Sequence, residues 1–267
     1  MSMETTHGYA YDNDSEQAEA HHRALADLLD RQTQWRLDEL IDLTGRRCLE
    51  VGAGGGSVAQ WLADRVGPHG SVLATDLKPE HIPRSHLLTP LRHDITSGEP
   101  LGRFDLVHAR LLLGHLPARE AALRHMADAV EPGGVLMTED FLPTPDDEIV
   151  AWAPDPGTAE LVDRYNRLQM GILERHGADR TWSRRAAAAY RDLGLADIEV
   201  TAHGATWRGG GPGCRLLLAG LGQLRAPLEA LGMTAAELDQ IAAALRDPRL
   251  VLNGYLVYLT SGQKPLD

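Results

Sequence analysis

Residues 48–62 read CLEVGAGGGSVAQWL: an apolar run breaks into Gly52, Gly54, Gly55 and Gly56, then resumes with a different period. Cys48 to Val51 has the composition of a short buried strand. Val58, Trp61, Leu62 and Val66 share one helical face, and Gly67-Pro68 ends it. A strand–glycine–helix turn lets the backbone approach a ligand closely. The spacing narrows the ligand. A dinucleotide fingerprint needs glycines at 52, 54 and 57, but position 57 is Ser57. No Gly-Lys-Ser/Thr follows, so the turn is not a P-loop. The register is E-x-G-x-G-x-G, with Glu50 two residues ahead of Gly52. An acid inside the strand disfavours a pyrophosphate and favours a cationic ligand end.

Outward from this turn, strand and helix alternate between about 47 and 141. SVLATDL, PLRHDI, FDLVHA and VLMTEDF read as further strands, and REAALRHMADAVEPGG reads as a helix closed by Pro132-Gly133-Gly134. That rhythm implies an α/β fold, a parallel sheet covered by helices on both faces. Ligands in such sheets sit beyond the carboxyl ends of the strands. Gly52, Asp76, Asp94, Ala109 and Glu139 lie at or just after those ends and should converge on one crevice. A long helix over 14–43 precedes the sheet. After Phe141 come a proline-rich acidic loop, helices in TAELVDRYNRLQMGILERHG and SRRAAAAYRDLGL, and a strand in ADIEVTAHG. A glycine-rich loop in ATWRGGGPGC leads to helices in RLLLAGLGQLRAPLEALG and TAAELDQIAAALRD, and a strand in YLVYLTSG closes the chain. Thr234 and Glu237 form a capping-box pair.

The chain of 267 residues is 43% apolar, enough for one sizeable core. Acidic residues outnumber basic ones 38 to 26, and a net charge of −12 argues against general nucleic-acid binding. Two cysteines make no disulfide framework and no CxxC, and no apolar run approaches the ~18–20 residues of a membrane span. The polar N-terminus has no signal-peptide character. These features lead us to expect a cytoplasmic protein with a small-molecule partner, no nucleic acid, no membrane and a possible homodimer.

Four stretches in order, LEVGAGGGSVAQWLADRVGPHGSVLATDL, RHDI, FDLVHARLLLGHLP and VEPGGVLMTEDF, resemble the class I S-adenosylmethionine-dependent methyltransferases over at least residues 46–141. The closing WRGGGP, AAELD and LRDP segments look like an actinobacterial-type, specialised-metabolite branch of that family. The resemblance implies a Rossmann-like, seven-stranded, mostly parallel sheet with helices on both faces. It implies one domain over 1–267: a helical lid over 1–45, a cofactor core over 46–141, a helical substrate cap over 142–195, and a closing segment over 196–267. It implies S-adenosyl-L-methionine as cofactor, S-adenosyl-L-homocysteine as product, and in-line methyl transfer to a small molecule. A catalytically silent cofactor binder or assembly protein has the same motifs. A nicotinamide enzyme is a third reading, opposed by Ser57.

The resemblance also implies roles. Gly52, Ala53, Gly54 and Gly56 would line the methionine part of the cofactor, and Glu50 would orient its ammonium end. Asp76 would accept both ribose hydroxyls, Leu77 would pack on adenine, Asp94 would accept from the adenine amino group, and Ile95 would offer its N–H. Ala109 and Arg110 would close the wall near the sulfonium. His115, beyond the fourth strand, is the candidate base, with an ordinary pKa suited to proton transfer. His108, within the strand, reads as packed. Glu139 could bind an ammonium, abstract a proton or serve structurally. The acceptor region would draw on Tyr9, Tyr11, Trp35, Trp152, Tyr165, Gln169, Met170, Trp182 and the loop of Trp207 and Arg208, although helical aromatic and Met positions are more often core. No metal ligand set is expected.

Overall fold

The structure is a computed structural model that describes residues 16–143 and 148–266. Tyr9 and Tyr11 lie outside the described residues. In chain order the elements begin with α1 (Glu16–Leu40), β1 (Arg47–Val51), α2 (Ser57–Val66), β2 (Ser71–Asp76), β3 (Leu88–Arg92), β4 (Phe104–Arg110), α3 (Arg119–Asp128) and β5 (Val130–Leu142). They continue with β6 (Val150–Trp152), α4 (Pro156–Arg175), α5 (Trp182–Asp192), β7 (Ala196–His203), β8 (Thr206–Arg208), α6 (Pro212–Gln223), α7 (Arg225–Ala230), α8 (Ala235–Ala244), β9 (Val251–Asn253) and β10 (Leu256–Gln263). The chain divides into two compact units. One unit comprises residues 29–142, 180–202 and 257–266; the other takes the remaining described residues.

The first unit holds a seven-stranded sheet in the order β3-β2-β1-β4-β5-β10-β7. Strands β1 to β5 pair in parallel across β3-β2-β1-β4-β5, as the alternating pattern requires. Helices cover both faces, so the central strands have apolar residues on both sides. Leu49, Val51, Val107, Ala109 and Leu136 share a buried cluster with Ala122 and Met126 of α3 and with Trp182, Ala186 and Tyr190 of α5. The side chains between them, Glu50, His108, Arg110 and Glu139, point to the opposite face by the period-two alternation of a strand. Register aligns them: Glu50 lies opposite His108, and Arg110 opposite Glu139. Thr33 of α1 lies on that second face, where its hydroxyl donates to Glu139 Oε2 at 3.1 Å.

Two boundaries differ from expectation. Helix α3 stops at Asp128, and Pro132-Gly133-Gly134 belongs to β5, which begins at Val130. The Gly133 N–H donates to the Lys264 carbonyl, and the Lys264 N–H donates to that of Gly134, so the sheet takes up the turn-like triplet. The single helix expected over RLLLAGLGQLRAPLEALG breaks at Leu224 into α6 and α7. Pro227 has no N–H to continue the ladder and its ring crowds the preceding turn.

The second unit carries its own three-stranded sheet, β6-β9-β8, antiparallel throughout. ATWRGGGPGC therefore begins as a strand rather than a loop. Trp207 is buried against Tyr255, ring centroids 5.1 Å apart, and a Cβ on Gly213 would sit 2.1 Å from its ring. Tyr165, Gln169 and Met170 of α4 are also buried, with the Tyr165 hydroxyl donating to the Leu217 carbonyl at 2.7 Å. In the first unit Trp182 is buried as well. These five positions are core; Trp35 and Trp152 remain about half exposed.

Candidate cofactor site

The glycine turn joins β1 to α2. Gly52, Gly54 and Gly56 have φ of +69°, +53° and +79°, a left-handed conformation that costs L-residues with a Cβ roughly 1–2 kcal/mol. Close packing reinforces the choice. A Cβ on Gly52 would lie 3.0 Å from Leu112 Cδ1, and one on Gly56 would lie 2.9 Å from Pro83 Cδ. The Ala53 N–H donates to the Thr75 carbonyl, which carries the turn across to β2.

At the end of β2, Asp76 Oδ2 accepts from the Gly54 N–H at 2.9 Å, and Oδ1 accepts from the Lys78 N–H at 2.9 Å. The structure thus brings together two positions that are 22 residues apart. The next side chain, Leu77, is 56% exposed, leaving an apolar surface beside the carboxylate. The His93 N–H donates to the Asp76 carbonyl at 3.0 Å, which places the end of β3 alongside. Asp94 is exposed, and its Oδ1 accepts from both the Thr96 N–H and hydroxyl, the turn geometry of a short polar loop. Ile95 is buried, and its carbonyl accepts from His125 Nδ1 at 2.8 Å.

Beneath the turn lies a polar network that sequence reading did not assemble. His108 is fully buried between two carboxylates, with Nδ1 2.6 Å from Glu50 Oε2 and Nε2 2.9 Å from Glu139 Oε1. Burial pulls the imidazole toward its neutral form, but the paired carboxylates outweigh it and push the pKa up to about 9. With a carboxylate facing each ring nitrogen, the geometry favours the imidazolium form of His108. Glu50 is held by this cation rather than by backbone amides. The chain of contacts continues through Thr33, which accepts from Arg110 Nη1 at 3.0 Å. Arg110 pairs with Asp30 at 2.9 Å and donates to Ser57 Oγ at 3.3 Å, while Ser57 donates to Asp30 at 3.1 Å. Ser57 thus stands where a dinucleotide turn has glycine and ties the first residue of α2 to α1. Ala109 points the other way, into the apolar cluster, so only its backbone borders the site.

Past β4, Leu111 takes φ +53°, a rare conformation for a residue of this kind, and its N–H donates to the Glu139 carbonyl. His115 follows in a short 3₁₀ turn, Leu113–His115, and is half-buried. Burial and the Arg119 charge lower its pKa to about 4. It is neutral at pH 7 but a weak base, so its ordinary pKa is no longer an argument for proton abstraction. Asp140, absent from the sequence reading, is buried with Oδ1 accepting from the Gly114 N–H at 2.9 Å. Burial raises its pKa to about 7, with Glu139 adding to the rise and the Gly114 N–H and Arg119 opposing it. The TEDF string held the signal, consecutive acids at a strand's carboxyl end, but not their burial.

Comparison with known proteins supplies the family. The methyltransferase domain family matches residues 17–186. A methyltransferase (str2) of Strobilurus tenacellus is 38% identical over 101 residues, covering 36% of each chain. A ubiquinone biosynthesis O-methyltransferase of Xanthomonas oryzae is 36% identical over 115 residues, covering 39% of this chain and 47% of the relative. The chain thus spans less than half the length of these curated relatives. Among solved structures, a phosphoethanolamine N-methyltransferase of Haemonchus contortus, determined with S-adenosylhomocysteine and phosphomonomethylethanolamine, superposes with a TM-score of 0.55. Its identity is 15%, with coverage of 92% of this chain and 57% of that one, so the likeness extends to the fold alone. With more than half its length matched, the chain belongs to the methyltransferase domain family.

Proposed function

We propose that this chain transfers a methyl group from S-adenosylmethionine to a small-molecule acceptor, of the kind made in specialised metabolism. The observation that carries the cofactor reading is the Gly54–Asp76 junction. A turn with no room for a Cβ at Gly52 or Gly56 meets a carboxylate at the next strand end, beside the exposed Leu77. Asp76 has lone pairs left for two ribose hydroxyls after accepting two N–H groups. Leu77 offers a flat apolar contact for adenine, with Asp94 and the Ile95 backbone following β3. Glu50 lies on the sheet face of Arg110 and Glu139, suited to the ammonium end. Gly52, Ala53, Gly54 and Gly56 leave the methionine part close to backbone.

When bound, the cofactor supplies an electrophilic methyl on a sulfonium whose departure as a thioether needs no acid. The protein's task is to hold acceptor and methyl in line, and placement alone can contribute ~7–11 kcal/mol. His115 fits hydrogen bonding to an acceptor better than deprotonation of one. An acceptor that is already nucleophilic, such as a neutral amine, asks least of this site. A small-molecule acceptor is favoured by the acidic net charge and by a relative whose name places it in ubiquinone biosynthesis. No helix among the described residues is long and apolar enough to cross a membrane. Titration calorimetry with S-adenosylmethionine and S-adenosylhomocysteine tests the cofactor, and release of tritiated methyl to an acceptor panel tests the transfer. Absence of binding to either ligand refutes the reading. Binding without turnover on any acceptor favours a silent cofactor binder.

A further inference from the structure

The His108 cluster has more order than a packed strand residue needs. Three ionisable side chains from three adjacent strands, β1, β4 and β5, meet in the interior. Each ring nitrogen of His108 faces a different carboxylate, and both carboxylates lie on the face of the sheet that carries Arg110. Two carboxylates across one imidazole cannot both stay ionised, and cannot both be oriented, unless the ring between them donates from both nitrogens. A neutral imidazole donates from one only. We propose that His108 is a positioning residue: as a doubly donating imidazolium it fixes Glu50 and Glu139 in one orientation with a combined charge of −1, and so prepares Glu50 for the cationic end of the methyl donor.

This inference rests on the cofactor reading above. The groups that face the cluster support the charge count. Thr33 of α1 donates to the remaining Glu139 oxygen, and Arg110 behind Thr33 is balanced by Asp30. Asp140 follows Glu139 in β5 but belongs to the Gly114 contact. Arg110 and Asp30 cancel, which leaves the trio with a single net negative charge. Without the imidazolium the same space holds two uncompensated carboxylates, and one of them takes up a proton. Glu50 then loses both a defined charge and a defined direction.

The test measures cofactor affinity against pH in wild type, His108→Gln and His108→Gln/Glu139→Gln. Asp140 titrates in all three, so profiles are read relative to wild type. His108→Gln should bind S-adenosylmethionine about ten-fold more weakly at pH 7, a typical coupling between adjacent groups. Relative to the wild-type profile, it should also gain an additional proton-linked change in affinity between about pH 5 and 8. The double variant, with one carboxylate removed, should lose that pH dependence. A packing defect alone would weaken binding equally at every pH. A His108→Gln profile parallel to wild type therefore overturns the proposal and leaves the cofactor reading intact. Wild type that binds neither S-adenosylmethionine nor S-adenosylhomocysteine overturns the cofactor reading, and this proposal with it. Should His108→Gln fail to fold, nitrogen-15 NMR of histidine-labelled wild type decides. Both His108 nitrogens protonated from pH 6 to 8 is the expected result, and a neutral tautomer at pH 7 overturns the proposal.

Discussion

Replacing Asp76 with alanine separates the site's role in binding from its role in folding. In the free protein the carboxylate accepts two backbone N–H groups, from Gly54 and Lys78, both at 2.9 Å. Their loss, at a partly exposed strand end, costs about 1–2 kcal/mol of stability in total. For a chain of this size that is a drop in Tm of roughly 2–8 °C. Binding should suffer far more. Two ribose hydroxyls on an ionised carboxylate contribute about 1.5–3 kcal/mol each. Losing both weakens the cofactor by about two to four orders of magnitude, at 1.4 kcal/mol per decade. Asp76→Asn keeps an acceptor for the Gly54 N–H and should fall between. The assay is titration calorimetry at 25 °C with S-adenosylhomocysteine, paired with circular-dichroism melting to show that the variant is folded. A folded Asp76→Ala protein that binds within about three-fold of wild type would refute the assignment of Asp76 to the ribose, because no other geometry gives that carboxylate so large a share.

Four further outcomes follow from particular contacts. Gly52→Ala meets both a left-handed φ and the Leu112 side chain at 3.0 Å, so urea denaturation should show a loss of about 1–3 kcal/mol; adding Leu112→Ala should recover only the steric part. Asp140 has its pKa raised by burial from the ordinary 3.8 to about 7, so the folded state holds a proton there that the unfolded chain has released. That lowers stability as pH rises from about 4 to 7. Asp140→Asn, which keeps the Gly114 contact, should be more stable than wild type at pH 8, with the gap closing toward pH 4; parallel stability curves would count against it. His108 has the opposite sign of charge and a different window: its raised pKa contributes stability that is complete below about 6.5 and lost as pH climbs through 9, visible as an alkaline fall in the wild-type unfolding free energy. Tyr190→Phe removes a buried hydroxyl shared between Thr138 Oγ1 at 3.0 Å and the Thr260 carbonyl at 3.2 Å, and should cost about 1–3 kcal/mol by thermal melting with little change in cofactor affinity.

The legible part of this protein was the part governed by local chemistry. Glycines at 52, 54 and 56 are required by φ, and each of the three positions is left-handed in the structure. The Thr234–Glu237 capping box forms as spaced, since its partners are three residues apart. Short strands were less legible. Three-residue strands such as Thr206–Arg208 and Val251–Asn253 carry too little period-two pattern to stand out from a glycine-rich loop. The tryptophan at 207 reads as an acceptor-region residue in sequence and is core in the structure, because nearby Gly213 and the distant Gly254 and Tyr255 pack against its ring.

By itself, then, the sequence established a parallel α/β sheet, a glycine turn unsuited to a dinucleotide, and a carboxylate at the end of the second strand, all properties set by residue type and spacing along one segment. The tertiary structure alone decided what Glu50, His108 and Glu139 are. Position on a strand says only which face a side chain takes. Charge state depends on what shares that face, and here strands separated by 58 and 31 residues of chain bring two acids to one imidazole. The same holds for His115 and Asp140, whose pKa values were moved by burial in opposite directions to charge, each toward its neutral form.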